Sequence, residues 1–186
     1  MRNGPTLTMP RDTGFRLETQ RLRLRAYGPD DLDMLAELYG APEVASRTKL
    51  GVLTRDQCAD VLADYLQCWR QNGYGMRMIA DREGRSVGEC GLFTPASVSA
   101  PAIRYVLDAA CWGRGYASEA VAATLEDGFL RLRLDRIYGF VEHDNPASHR
   151  VLQKAGFHVE DVVDSAKGDL SRYVLERDSP VMTDRR

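Results

Sequence analysis

Residues 111–117 read Cys-Trp-Gly-Arg-Gly-Tyr-Ala, and they join the end of a predicted strand to the start of a predicted helix. Glycines at positions 113 and 115 let this glycine turn bend tightly and approach a ligand without an obstructing Cβ atom. The helix start offers unpaired N–H groups and the positive end of the helix dipole. The glycine turn therefore predicts a pyrophosphate site, with a plain loop that binds nothing as the alternative.

Three short extended runs precede the glycine turn, at residues 76–80, 86–93 and 102–107. Glu83-Gly84 separates the first two runs, and a stretch rich in Pro and Ser, residues 94–101, separates the others. Such short links between strands predict antiparallel hairpins.

The N-terminal part predicts one strand and two helices. Alternating Leu and Arg within residues 17–26 indicate a half-buried strand. Pro29 is predicted to open a helix that runs through Leu38. A second helix is predicted from Thr54, where Thr54 and Gln57 form a capping-box pattern, to Asn72-Gly73.

After the glycine turn, the sequence predicts a helix, a strand at 136–141, a helix from Pro146 to Gly156, and strands at 157–163 and 171–175. This order differs from a regular alternation of strands and helices in a parallel sheet. It predicts an α+β fold: one domain with a mixed, mostly antiparallel sheet flanked by helices.

The length of 186 residues suits a single domain. We expect a flexible leader at 1–14, the folded domain at 15–178 and a C-terminal tail at 179–186. The net charge of −2 provides no basic field for a phosphate backbone, so no nucleic acid is expected as a partner. The oligomeric state is left open, with a homodimer allowed.

No apolar stretch approaches 18 residues and no signal-peptide pattern begins the chain, so no membrane association is expected. The four cysteines form no C-x-x-C pair, which favours reduced thiols and a cytoplasmic protein. The three histidines have no ligand spacing with any cysteine, so no metal is expected.

Two other phosphate-binding motifs fit poorly. No G-x-x-x-x-G-K-[ST] run exists, which excludes a P-loop. A dinucleotide-binding oxidoreductase would need an acid at the carboxyl end of a strand, whereas Asp135 precedes the strand at 136–141. A dinucleotide motif would also open its domain, whereas hairpins precede the glycine turn here.

From Thr19 to Leu175, the sequence resembles the GNAT N-acetyltransferases, and in particular the Rim-type branch that acetylates the N-termini of ribosomal proteins. Residues 19–25 are similar to the opening strand of that branch. Residues 103–108 followed by 112–117 resemble its fourth strand and coenzyme turn, and residues 145–157 resemble its closing helix.

The resemblance implies that acetyl-CoA binds as co-substrate, without a metal. Backbone N–H groups of 113–117 would hold the pyrophosphate, the strand end at 106–107 would pair with the pantetheine, Asn145 would bind the pantetheine arm, and Ser148 would lie near the sulfur. The residues assigned to the coenzyme are Val106, Leu107, Trp112, Gly113, Arg114, Gly115, Tyr116, Ala117, Asn145 and Ser148.

Three positions depart from the family pattern. Trp112 replaces the commoner Gln or Arg, Leu152 stands where many relatives carry a tyrosine general acid, and Arg104 stands where the branch has Gly. Trp112 bears on coenzyme binding, Leu152 on proton donation and Arg104 on acceptor specificity. We interpret Arg104, Tyr105 and Trp112 as packing or rim residues.

The implied reaction is the attack of an amine on a thioester, which needs one proton removed and one supplied. Glu89, unusual as a carboxylate in a strand, is the first candidate for the base, with a salt-bridged residue as the alternative. His143 could act through water, or could simply be an exposed loop residue. Ser148 could protonate the thiolate, or could only be a polar residue of the first helical turn.

These observations favour an acetyl-CoA-dependent N-acetyltransferase acting on a primary amine, either of a small molecule or of a protein N-terminus. An α-amine is about one-tenth neutral at pH 7, far more than a lysine, so it needs less base. The alternatives are a non-catalytic acyl-CoA sensor of the same fold and a fragment of a dinucleotide-binding oxidoreductase.

Overall fold

The computed structural model describes residues 16–48, 50–163 and 169–178. The predicted leader and tail lie outside these residues. The strands are β1 (Leu17–Glu18), β2 (Leu22–Ala26), β3 (Met76–Asp81), β4 (Ser86–Phe93), β5 (Ala102–Leu107), β6 (Arg136–Glu142), β7 (His158–Val163) and β8 (Leu170–Glu176). The α-helices are α1 (Leu32–Gly40), α2 (Pro42–Ala45), α3 (Arg55–Asn72), α4 (Tyr116–Leu130) and α5 (Pro146–Lys154).

The eight strands form one sheet in the order β1-β2-β3-β4-β5-β6-β8-β7. Every neighbouring pair is antiparallel except β5 and β6, which are parallel. The predicted hairpins and the α+β fold are therefore confirmed. The parallel pair is short: it joins Ala102 to Tyr138 and Ile103 to Gly139, although β5 continues to Leu107 and β6 to Glu142. Beyond Ile103 the two strands diverge, and the sheet opens between them.

Adjacent residues of β4 show how the helices cover the two faces of the sheet, because successive side chains in a strand point to opposite faces. The Glu89 carboxylate accepts hydrogen bonds from Tyr39 of α1 and Tyr65 of α3. The Cys90 thiol lies 3.4 Å from the hydroxyl of Thr124 in α4. The first three helices thus cover one face, and α4 covers the other.

A buried ion pair fixes α4 on the sheet. The Arg77 guanidinium in β3 donates to the Asp127 carboxylate in α4 at 2.6 Å, and both side chains are almost fully buried. Arg131 donates to the same carboxylate at 2.6 Å. Burial opposes ionisation of Asp127, but the two guanidinium groups outweigh it and lower the pKa of that carboxyl. The pair holds α4, and with it the glycine turn, at a set depth over the sheet.

The helix boundaries show where local signals sufficed. The capping box of α3 is present, with Thr54 and Gln57 bonded reciprocally, and Gly73 ends the helix in the left-handed region at φ 69°. The prediction that Pro29 opens a helix was wrong, because α1 begins at Leu32. Asp31 accepts a hydrogen bond from the Gly28 amide at 2.6 Å and pairs with Arg25, which keeps Pro29 in a turn. The four residues of α2 are too few to show a periodic signal.

Gly91 in β4 provides a test of this packing. A Cβ atom at Gly91 would lie 2.3 Å from the Gly75 carbonyl oxygen and 2.6 Å from the Met76 Cα atom, both of them backbone. We expect Gly91→Ala to lower the free energy of unfolding by about 1–3 kcal/mol. Urea unfolding measures the change. Gly40→Ala is the control, because a Cβ atom there meets nothing within 4 Å. Equal stability of the two variants would contradict the prediction.

Candidate active site

The opening between β5 and β6 holds a cavity of about 410 Å³. One wall is the end of β5 with the glycine turn, a second is the start of α5, and α2 contributes a third. The lining residues are Val44, Arg47, Thr48, Tyr105, Val106, Leu107, Cys111, Trp112, Gly113, Gly115, Tyr116, Ala117, Ser118, Asn145, Ala147, Ser148, Arg150, Val151 and Lys154. Of the residues assigned to the coenzyme from the sequence, Arg114 alone is absent from this lining.

The glycine turn has the conformation that its sequence requires. Gly113 and Gly115 both lie in the left-handed region, at φ 74° and φ 79°, where residues with a Cβ atom are strained. Gly115 is the N-cap of α4, and no side chain caps this helix. The first N–H groups of α4 therefore have no intrahelical acceptor, and the residues that carry them line the cavity. This is the arrangement that binds an anion at a helix N-terminus.

Two residues of the turn between β1 and β2 hold the glycine turn in place. Arg21 donates to the Arg114 carbonyl at 2.8 Å and pairs with Glu119 of α4 at 2.6 Å. Thr19 also donates to Glu119, at 2.6 Å. Burial opposes ionisation of Glu119, but the bonds from Thr19 and Arg21 prevail and lower its pKa. This role of Arg21 could not be predicted from the sequence, because its alternation with Leu22 and Leu24 indicates only a strand.

The end of β5 offers an unpaired strand edge to the cavity. Among the described residues, no ladder partner follows Ile103 on the side of β5 that faces β6. Val106 and Leu107, the residues expected to pair with the pantetheine, lie on this stretch and line the cavity. The Leu107 carbonyl already accepts a hydrogen bond from the Trp112 indole at 2.9 Å. Trp112 thus braces the strand end, and a ligand can add to the edge as a further strand.

Asn145 and Ser148 meet at the start of α5. The Asn145 side-chain oxygen accepts a hydrogen bond from the Ser148 amide at 3.1 Å, so Asn145 caps the helix. This bond uses the side-chain oxygen of Asn145 and leaves its amide NH2 available to a ligand, while the Ser148 hydroxyl lies beside that of Tyr105. Both residues line the cavity, opposite the end of β5.

Glu89 lies beneath the cavity and does not line it. Its carboxylate is fully buried and accepts hydrogen bonds from the hydroxyls of Tyr27, Tyr39 and Tyr65 at 2.9, 2.7 and 2.9 Å. The Arg104 guanidinium lies 3.7 Å from the same carboxylate and donates to the Tyr65 hydroxyl. Burial, aided by the charge of Glu89, raises the pKa of all three tyrosines, which therefore remain hydrogen-bond donors.

This buried cluster of Glu89, three tyrosines and Arg104 could not be found from the sequence. Its tyrosines come from the loop before α1, from α1 and from α3, with no motif connecting them. Val106, the register partner of Glu89 on β5, lines the cavity and connects the cluster to it. A catalytic role for Glu89 therefore requires a tyrosine hydroxyl or a water to carry the proton.

His143 stands apart from the cavity. It follows the last residue of β6, its side chain is exposed, and it is absent from the cavity lining. Of the three catalytic candidates, Ser148 thus lines the cavity, Glu89 is buried beneath the cavity and His143 lies outside it.

The charge of the cavity has one sign. Arg47, Arg150 and Lys154 line it, and none of its described lining residues is Asp or Glu. Arg47 lies over the Trp112 ring at 5.9 Å, so a cation from the segment after α2 faces the glycine turn. Together with the open N-terminus of α4, these cations favour a polyanionic ligand.

The described part of the chain has neither a metal-binding cluster nor a membrane-spanning helix. Residues 16–48, 50–163 and 169–178 contain no group of three His, Cys, Asp or Glu side chains that could hold a metal ion. Within the same ranges, no helix has both the length and the apolar character needed to cross a bilayer.

In this fold a sheet opens beside a helix N-terminus, and comparison with known proteins identifies the family. Residues 21–158 match the model of the acetyltransferase (GNAT) domain. The chain is 31% identical over 160 residues to an uncharacterized N-acetyltransferase, p20, of Bacillus licheniformis, covering 83% of this chain and 90% of the relative. This chain belongs to the GNAT acetyltransferase family.

Solved structures share the fold at lower sequence identity. The structure of RimL, a ribosomal L7/L12 alpha-N-protein acetyltransferase in complex with coenzyme A, superposes with a TM-score of 0.76 at 20% identity, covering 87% of this chain and 97% of the other. Spermidine N-acetyltransferase from Vibrio cholerae, in complex with CoA and spermine, superposes with a TM-score of 0.72 at 18% identity, covering 87% and 98%. Both structures therefore share the fold of this chain.

The glycine turn can be tested by Gly115→Val. Valine at a positive φ is strained, and its side chain would crowd the helix N-terminus that is proposed to bind phosphate. We expect the rise in melting temperature produced by acetyl-CoA to disappear in this variant. Differential scanning fluorimetry with and without acetyl-CoA measures it.

Gly84→Val is the matched control. Gly84 has a similar φ of 85°, a Cβ atom there would meet nothing within 4 Å, and the residue lies in the β3–β4 turn away from the cavity. This variant should carry the same backbone strain and keep the acetyl-CoA response. An unchanged response in Gly115→Val would remove the glycine turn from the binding site.

Proposed function

We propose that this protein transfers an acetyl group from acetyl-CoA to a primary amine, by direct attack of the amine on the thioester. The observation that carries the proposal is the cavity between the diverging ends of β5 and β6, which joins an open helix N-terminus to an unpaired strand edge. The first feature suits a pyrophosphate, and the second suits the amide-bearing pantetheine arm.

Different residues along the cavity would bind different parts of acetyl-CoA. The backbone of residues 113–117 would hold the pyrophosphate, with Arg47, Arg150 and Lys154 supplying charge to the phosphates. Val106 and Leu107 would pair with the pantetheine on one side, and the Asn145 amide would bind it on the other. This arrangement would place the thioester near Ser148, where the two strands separate.

Catalysis would rest mainly on alignment, because a thioester is already activated. The nitrogen of a neutral amine attacks the carbonyl carbon, the C–S bond breaks, and the amine loses one proton. We propose that the carboxylate of Glu89 accepts this proton through a tyrosine hydroxyl of the buried cluster or through water, and that Ser148 assists the departing thiolate. His143, exposed and outside the cavity, remains a weaker candidate for a water-mediated base.

The charge of the site restricts which amines we expect to act as acceptors. The cavity has three cationic residues and no acidic residue among those described, and Arg104 offsets the charge of Glu89 beneath it. No carboxylate of the described lining is therefore available to hold a second ammonium group of the acceptor. We propose that the acceptor carries one amine, as a small molecule or a protein N-terminus does, and that polyamines are poor acceptors.

The cytoplasmic location and the oligomeric state are also proposals. All four cysteines have free thiols in the structure, which agrees with a reducing cytoplasm. A homodimer remains a proposal, to be measured by light scattering.

Ligand binding and acceptor choice can be tested together. At 100 times its dissociation constant, acetyl-CoA should add about 2.7 kcal/mol of stability, or about 5–10 °C in melting temperature, whereas NADH should add none. Release of free thiol should then be faster with a peptide bearing a single free α-amine than with spermidine.

The outcomes separate the alternatives. A shift with acetyl-CoA but no thiol release with any amine would favour a non-catalytic sensor. A shift with NADH alone would favour the oxidoreductase. Fastest turnover with spermidine would contradict the argument from charge.

Glu89→Gln tests the buried carboxylate. The amide keeps the volume of the side chain but loses its charge and one of its two acceptor oxygens, to which three tyrosines now donate. We expect turnover to fall by at least about tenfold with the acetyl-CoA response retained, because Glu89 does not line the cavity. Glu126→Gln, at an exposed position of α4, is the control. Unchanged turnover in Glu89→Gln would exclude Glu89 as the base.

A further inference from the structure

One polar group of the cavity wall has no assigned role: the hydroxyl of Tyr105. It is sealed from solvent, and no described residue gives it a hydrogen bond of good geometry. Burial raises the pKa of Tyr105 to about 12, and the neighbouring Ser148 opposes that rise only in part. A buried hydroxyl without a partner destabilises the empty protein, so its presence calls for an explanation in the ligand-bound state.

The position of Tyr105 is at the point where the sheet opens. Ile103 is the last residue of β5 that pairs with β6, and Tyr105 follows two residues later. Arg104, between them, points to the opposite face, where it contacts Tyr65. Tyr105 therefore faces α5, together with Ser148, at the inner end of the cavity.

Leu152 cannot supply a hydroxyl at this end of the cavity. Its side chain is 1% exposed and packs against Gly139 of β6, where a Cβ atom would meet Leu152 Cδ1 at 2.6 Å. Among the hydroxyls that line the cavity, those of Tyr105 and Ser148 lie next to each other.

We propose that Tyr105 is a positioning residue whose hydroxyl donates to Ser148, so that the Ser148 hydroxyl is oriented to donate to the sulfur of the departing thiolate. The inference rests on the proposed function. As the N–C bond forms and the C–S bond breaks, the electron pair of the C–S bond passes to sulfur, whose negative charge the two aligned hydroxyls stabilise. The amine releases its proton to the base, and the thiolate takes a proton from water when it leaves.

We assign Tyr105 a hydrogen bond and not the transfer of its proton to the thiolate, because the tyrosine is a weaker acid than the thiol. Burial raises the pKa of Tyr105 well above that of an ordinary thiol, so transfer of its proton to the thiolate would be unfavourable. The same high pKa keeps Tyr105 protonated, and hence a donor, throughout the neutral range.

Tyr105→Phe tests the proposal, because it removes only the hydroxyl. We expect kcat to fall about 3- to 10-fold while the KM values for acetyl-CoA and the amine stay within about twofold. The melting temperature of the unliganded protein should be equal to or above that of the wild type, because a buried unpaired polar group is removed. A residue with only a structural role would lower stability and leave kcat unchanged.

A double-mutant cycle with Ser148→Ala shows whether the two hydroxyls act as one unit. Ser148→Ala should lower kcat more than Tyr105→Phe, and the double variant should be no slower than Ser148→Ala alone. Tyr74→Phe is the matched control, since its hydroxyl bonds to Thr94 at 2.6 Å and it does not line the cavity. It should leave kcat unchanged.

Three results would overturn the proposal in an active wild-type protein. They are an unchanged kcat in Tyr105→Phe, losses that multiply in the double variant, and a raised KM for acetyl-CoA with unchanged kcat. The last would place Tyr105 in coenzyme binding. A wild-type protein that transfers no acetyl group to any amine would instead overturn the proposed function and this inference with it, so the two failures are distinguishable.

Discussion

The separation of β5 from β6 is the constraint on which the rest of the site depends. Two parallel strands that remained paired along their whole length would bury every backbone group between them and leave no space for a ligand. Here the pairing ends at Ile103 and Gly139, after two residue pairs. The exposed edge, the cavity and the convergence of β5 with α5 all follow from that early end, because a strand without a neighbour keeps its hydrogen-bonding groups available.

An open sheet is useful only if the elements around it are held at fixed positions. Arg77 and Asp127 tie the last turn of α4 to β3, while Arg21 and Glu119 tie its first turn to the turn between β1 and β2. Both pairs pack against an aromatic ring: Arg77 lies 4.7 Å from the Trp69 ring centroid, and Arg21 lies 4.8 Å from that of Tyr116. These contacts preorganise the helix N-terminus, so that binding an anion there requires little rearrangement.

The two faces of the open sheet carry different chemistry. On the face of α1 and α3, Glu89 is surrounded by three tyrosine donors and Arg104, a cluster in which the carboxylate is fully hydrogen-bonded and its charge is offset by the guanidinium. On the other face, Tyr105 remains unsatisfied beside Ser148. A satisfied buried network stabilises the protein by itself, whereas the unsatisfied Tyr105 hydroxyl is explained by the proposed role in orienting Ser148.

Several structural elements could be predicted from short stretches of the sequence. The glycines at 113 and 115, the capping box at Thr54, the Asn145-Pro146 helix start and the strand spacing predicted the fold class and the tight turn before α4, because backbone conformation and hydrogen bonding within a few residues set them. Three-dimensional packing was needed to show that Glu89 is enclosed by Tyr27, Tyr39 and Tyr65, that Arg21 braces the glycine turn, that His143 lies outside the cavity and that Tyr105 lines it. Those relations depend on sheet register and on helices distant in the chain, and no short-range pattern of residues encodes them.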